Sequence, residues 1–226
     1  MPALRRSARN LFNSATAGTL SGEIETQLRM SGHGVGASER RSWERSLTVL
    51  AQDLVDAGLD DVEVLVEYQL PLTSRRVDAV LAGVHPRTGD DSYVVVELKQ
   101  WSRAVSYEDS ETLVLVEGMR RAQLHPGIQV AGYCEYLSDF LGVLARRHSP
   151  VAGVAYLHNA SDREVTDLFA LPPPSTAASS PSSGGASFST TCAATSRRCP
   201  EPPPPTACSP ALYGPAATCS PMPPVS

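Results

Sequence analysis

The sequence predicts an α/β fold, a mixed central sheet flanked by helices in the order α-β-β-β-(β)-α-β-(α). Three observations predict it. Trp43, Leu47, Leu50 and Leu54 recur at helical spacing and form one apolar stripe. Three valine-rich runs follow, each bounded by turn-forming residues. A long apolar-periodic run over 125–147 then precedes another valine- and alanine-rich run at 151–159.

The elements can be read in order. Residues 1–37 are polar and end in the Gly-rich "SGHGVGAS", so a flexible N-terminal segment is expected. Ser38 is placed to cap a helix starting at Glu39, and Gly58 to stop it. Residues 62–68, 75–83 and 92–100 read as strands, the last two joined by "VHPRTGDD", which has the Pro and Gly of a hairpin loop. Three valines precede Glu97, which predicts a strand buried on both faces and central in the sheet. Residues 112–118 are a weaker strand candidate. In the 125–147 helix, Pro126 sits in the first turn, and Arg146 and Arg147 suit the C-terminal end. The strand at 151–159 is followed by a short helical piece near 162–170. The globular domain is expected over 38–171.

Composition changes beyond that point. Residues 172–226 hold 14 of the 19 prolines and four of the five cysteines, but only three charged residues, Arg197, Arg198 and Glu201. A disordered Pro/Ser/Ala/Cys-rich tail is expected, with the composition of a GC-rich gene read out of frame. Its cysteines show no CxxC spacing for zinc. Cys134 is the single cysteine before it, so disulfides are not called for and a reducing cytoplasm is the default location. No apolar run reaches the roughly 18 residues of a membrane span, and no apolar stretch follows the N-terminal arginines to make a signal peptide. Net charge is −5; setting aside the tail's two Arg and one Glu leaves −6 for the body, which weighs against strong autonomous binding to nucleic acid.

The chemistry concentrates in two strands. Lys99 is the only lysine in the chain, and it stands two residues after Glu97 in "VVVELKQ". Residues two apart on a strand share a face, and the preceding strand can bring Asp78 of "RVDAV" beside them. A buried carboxylate is costly unless paired or metal-bound. Two carboxylates plus a substrate phosphate suffice to hold Mg²⁺ or Mn²⁺, and a nearby lysine can orient water or give up a proton, which arginine cannot. Gln129 and Tyr133 lie one helical turn apart and share a face. Glu39 continues the stripe of the first helix and is the candidate for a further carboxylate; Glu44 lies off it and is expected in solvent. Trp101 reads as a core residue, Asp90 and Asp91 as loop charges. His85, His125 and His158 are not at metal-ligand spacing, and His148 reads as a solvated helix-end residue.

This order, with Asp78, Glu97-Leu98-Lys99 and the Q-x-x-x-Y of Gln129 and Tyr133, resembles the PD-(D/E)xK nuclease superfamily and its RecB-like members. The resemblance covers roughly residues 38–158; Val77 stands where the motif's proline would be. It implies a restriction-endonuclease-like core, with Asp78 and Glu97 as metal ligands for Mg²⁺ or Mn²⁺. It also implies Lys99 as the residue that positions the nucleophile, and Gln129, Tyr133 and Glu39 as its supports. The wider pattern is similar to the N-terminal region of bacterial Schlafen-like helicase proteins, where such a domain precedes a P-loop ATPase domain. No G-x-x-x-x-G-K-[ST] is present, in keeping with a truncated copy that lacks its helicase partner. The expected activity is metal-dependent hydrolysis of DNA, with DNA favoured over RNA. The rivals are an inactive module that guides a helicase onto nucleic acid and a non-functional truncated product.

Overall fold

In the computed structural model, residues 1–140 and 151–170 are described, apart from Pro86, Thr88 and Asp109. The expected tail at 172–226 and the 141–147 end of the long helix lie outside the described residues, as does His148. The N-terminal segment corrects an expectation. It is built into the fold as β1 (Leu4–Ser7), α1 (Ala8–Thr16) and α2 (Leu20–Met30). Ser7 caps α1, its hydroxyl accepting from the Asn10 N–H at 3.3 Å. Leu4, Ala8 and Leu11, then Leu20, Ile24 and Leu28, are all buried. Those spacings make apolar stripes in a segment whose average composition is polar; of the segment, residues 1–3, 17–19 and 31–36 have the loop character expected of the whole.

Helix α3 (Ala37–Asp56) begins before the expected Glu39 start, with Gly36 rather than Ser38 as its N-cap, and Glu39 Oε2 accepts from the Gly36 N–H at 3.4 Å. Strands β2 (Glu63–Gln69), β3 (Arg76–Val84) and β4 (Asp91–Lys99) match the three valine-rich runs, and Asp91 opens β4 instead of lying in the loop. The weaker candidate at 112–118 becomes β6 (Leu113–Val116), which leaves the main sheet and joins β5 (Ala104–Ser106) and β7 (Gln123–Leu124) in a separate three-stranded sheet. Helix α4 (Pro126–Phe140), β8 (Val151–Leu157), a 3₁₀ turn at Asp162–Val165 and α5 (Thr166–Ala170) complete the described chain.

The main sheet has the order β1-β2-β3-β4-β8. The pairs from β1 to β4 are antiparallel, and β8 pairs parallel to β4, with Val95 opposite Gly153 and Lys99 opposite Leu157. The sheet is therefore mixed, and β4 lies inside it between β3 and β8 rather than at its centre, which β3 occupies. One face packs α1, α2 and α3 against Val64, Val66, Ala79, Leu81 and Val96. The other packs α4 and the small sheet against Val80, Val95, Ala155 and Leu157, with Trp101 in this second core as expected. Among the described residues, no helix is long and apolar enough to cross a membrane.

The alternation slips at one place. Glu67 has a positive φ of 49°, a region that costs a non-glycine residue about 1–3 kcal/mol. Val64 and Val66 pack under α3, whereas Leu65 and Tyr68 pack on the opposite side. The β2–β3 ladder correspondingly runs Val66–Ala79 and Tyr68–Val77 with no bridge between Glu67 and Asp78. This kink frees two acidic side chains at the same level of adjacent strands.

Gly153 sets how closely α4 lies on β8. A Cβ there would overlap Val130 Cγ1 and stand 2.7 Å from Cys134 Sγ. Gly153→Ala is expected to destabilise the fold by about 1–3 kcal/mol, measured by urea denaturation. Adding Val130→Ala should restore part of the loss; a double variant as unstable as the sum of both singles would show that the contact does not limit the helix position.

Candidate active site

A cavity of about 580 Å³ opens where the sheet ends beneath the N-terminal half of α3. Its walls include Ser38, Glu39, Ser42 and Trp43 of α3, Glu67 of β2, Arg76 and Asp78 of β3, and Glu97 and Lys99 of β4. Asp78 and Glu97 meet because of strand register. Ala79 pairs with Val96, so the next step places Asp78 opposite Glu97. The ladder stops there, and the Asp78 carboxylate takes over: its Oδ2 accepts the Leu98 N–H at 2.7 Å.

Glu97 is almost fully buried. Its Oε1 accepts from Lys99 Nζ at 2.7 Å and from Gln129 Nε2 at 2.7 Å. Gln129 turns its Oε1 to Lys99 Nζ at 3.1 Å, so one amide binds both members of the E-x-K pair. Its Nε2 also donates to the Tyr133 hydroxyl at 3.0 Å. Tyr133 itself sits in the core, and among the described residues its hydrogen bond to the site runs through Gln129. Lys99 Nζ stands 5.5 Å from the centroid of the Trp101 ring, within cation–π range.

The structure thus brings Asp78, Glu97, Lys99 and Gln129 together, with Tyr133 behind them. Glu39 lies on the cavity wall but is engaged elsewhere: its Oε1 accepts from Arg76 Nη2 at 2.6 Å. Glu44 is half-exposed as expected, and it accepts from Ser21 Oγ at 2.9 Å and pairs with Arg40. His125 is structural: the Gly127 N–H donates to its Nδ1 at 3.1 Å and its Nε2 lies 3.2 Å from the Leu168 carbonyl. His158 Nε2 lies 3.0 Å from Ser46 Oγ, a hydroxyl that also accepts from Gln100 Nε2 at 3.0 Å, joining the end of β4 to α3.

Sequence reading missed Glu67 and Arg76. Glu67 is buried, and its Oε1 accepts from Trp43 Nε1 at 2.7 Å. Arg76 Nη1 lies 3.3 Å from Glu67 Oε2. A signal was present: Arg76 precedes Asp78 by two residues, the same interval that separates Glu97 from Lys99. Glu67 had none, because its role depends on the kink in β2.

The electrostatics follow from crowding. Burial, and then the neighbouring Glu97 charge, push the Asp78 carboxyl from 3.8 up to about 8, against the opposing Leu98 N–H. Burial also raises Glu67, with the Trp43 N–H opposing, and burial raises the Tyr133 hydroxyl.

Among the described residues, no group of three or more His, Cys, Asp or Glu side chains is arranged to hold a metal ion. The donor set is instead a pair of carboxylates, each with one oxygen, Asp78 Oδ1 and Glu97 Oε2, that carries no hydrogen bond among the described residues. Two hard oxygen donors lining an open cavity fit Mg²⁺ or Mn²⁺, which keep several waters. Zinc favours nitrogen and sulfur ligands, and no His or Cys lines the cavity among the described residues. Compared with protein-family models, curated proteins and solved structures, the chain matches none.

The raised Asp78 pKa has a consequence for folding. The native state holds a proton that the unfolded chain releases, so without metal the protein loses stability as pH rises from about 4 to about 8. Asp78→Asn keeps an oxygen for the Leu98 N–H and removes this loss. In a metal chelator it should melt above the parent protein at pH 8 and close to it near pH 4; a gap independent of pH would show that Asp78 does not fold with its proton.

Proposed function

We propose that this chain is a Mg²⁺- or Mn²⁺-dependent phosphodiesterase acting on DNA, built on a restriction-endonuclease-like core. The observation that supports it most is the juxtaposition of Asp78 and Glu97 on neighbouring strands, with Lys99 and Gln129 bonded to Glu97, inside an open cavity. The succession of α3, a strand with Asp78, a strand with Glu97 and Lys99, and a helix with Gln129 and Tyr133 agrees with that core.

In this reading Asp78 and Glu97 would hold the dication. When bound, the ion supplies positive charge at the phosphate and lowers the pKa of attacking water. Lys99 Nζ is kept at the carboxylate by two acceptors, Glu97 Oε1 and Gln129 Oε1, and from there orients water and meets charge that develops on the phosphate. Gln129 locks the lysine and the carboxylate in one arrangement, so neither loses conformational freedom when substrate enters. Asp78 must shed its proton to take a cation, which makes metal binding stronger as pH rises.

Cleavage of single- and double-stranded DNA in Mg²⁺ or Mn²⁺ tests the reading. Activity should rise between pH 6 and about 8 as Asp78 ionises. Lys99→Ala should lower it by about 10²-fold or more, and Asp78→Ala should abolish Mn²⁺ binding seen by titration. Cleavage untouched by Lys99→Ala would sink the proposal. Gln129→Glu sets a carboxylate against Glu97 and should cost more activity than Gln129→Leu. DNA binding without cleavage would favour a guiding module.

A further inference from the structure

The site end of the sheet has two rows of charge. Asp78 and Arg76 lie one and three residues beyond Ala79, the last residue of β3 paired with β4, and Glu97 and Lys99 lie one and three residues beyond its partner Val96. The carboxylates form an inner row and the two cations an outer row, about 6–7 Å along the strands. Both cations line the same cavity. Lys99 is held by Glu97; Arg76 is held by Glu39 at 2.6 Å and lies 3.3 Å from Glu67.

We propose that Arg76 is a second phosphate-binding arm of this site, pre-positioned by Glu39 and Glu67 to grip the substrate strand opposite Lys99. The assignment rests on the phosphodiesterase reading and extends it. A guanidinium presents its donors in a planar fork that matches two phosphate oxygens. Arg76 is held from both sides, Nη2 donating to Glu39 and the buried Nη1 pairing with Glu67 Oε2 at 3.3 Å, while 22% of its side chain stays exposed where it lines the cavity. An arginine that served only to neutralise Glu67 would have its strongest bond to that residue. Instead the best bond goes to Glu39, on the rim helix.

Charge points the same way. Glu39, Glu67, Asp78 and Glu97 would repel a phosphate from the cavity, and Arg76 and Lys99 are the cations among the residues lining it. A phosphate entering such a site meets an outer row of positive charge before the inner acidic row. Glu39 therefore acts as a positioning residue for the arginine rather than as a ligand of the metal pair.

The test compares Arg76→Ala, Arg76→Lys and the parent protein in two assays on one labelled DNA duplex and its single strand. The first is anisotropy in Ca²⁺ over a salt series; the second is cleavage in Mg²⁺. Arg76→Ala should lower the slope of log K against log salt by about one and reduce cleavage at least about tenfold. Arg76→Lys keeps a charge between Glu39 and Glu67, and so the fold; it should keep the slope yet lose cleavage, because the fork is gone. Unchanged slope and cleavage in both variants overturn the assignment and leave the phosphodiesterase reading standing. A slope lowered by about one in a protein that never cleaves keeps the Arg76 contact and removes that reading. Failure of the parent protein to bind either DNA removes both.

Discussion

The Leu98 N–H donated to the Asp78 carboxylate is the contact on which the site depends. It stands where the β3–β4 ladder ends, and a backbone donor that has lost its ladder partner is strongly driven to find another. A side chain that answers that need is fixed in place. Asp78 is thereby pinned opposite Glu97, and two carboxylates that would repel each other in water are held together by backbone geometry. The raised Asp78 pKa is the cost of that arrangement in the absence of a cation.

Each neighbouring element limits this cost in its own way. α4 brings Gln129, whose amide satisfies Glu97 and Lys99 at once. α3 brings Trp43, whose indole N–H supports Glu67, and Glu39, which holds Arg76. Each helix can do so because its apolar face is sunk in a separate core on its own side of the sheet. The polar residues at the helix ends near the site are then carried to fixed positions by packing they do not themselves provide. Gly153 shows how tight that placement is, since even a methyl group on β8 would push α4 away.

Glu67, at the kink, is the one positive-φ non-glycine residue inside a strand among the described residues. A glutamate with a left-handed backbone costs energy wherever it occurs. Here it turns an acidic side chain of β2 toward α3 and leaves Asp78 without a strand partner on that side. Strain of this kind persists where surrounding structure over-determines it, and the Trp43 and Arg76 contacts supply that restraint.

Periodicity alone determined the central architecture. Valine-rich alternation marked β2, β3 and β4, the Trp43–Leu54 stripe marked α3, and the two-residue interval between Glu97 and Lys99 placed them on one face. These are short-range signals, because a strand or helix repeats within a few residues. The same logic failed for residues 1–37, where average polarity concealed the stripes of α1 and α2, and for 113–116, whose strand character was visible but not its separate sheet. Only tertiary structure could decide the rest. Strand pairing set Asp78 beside Glu97 and brought Arg76 and Lys99 to one cavity; a backbone kink recruited Glu67; and packing decided that Glu39 would meet Arg76 while Gln129 would meet Glu97. Each of those contacts joins different strands or helices of the fold, and no local repeat encodes which long-range partner a charged side chain will find.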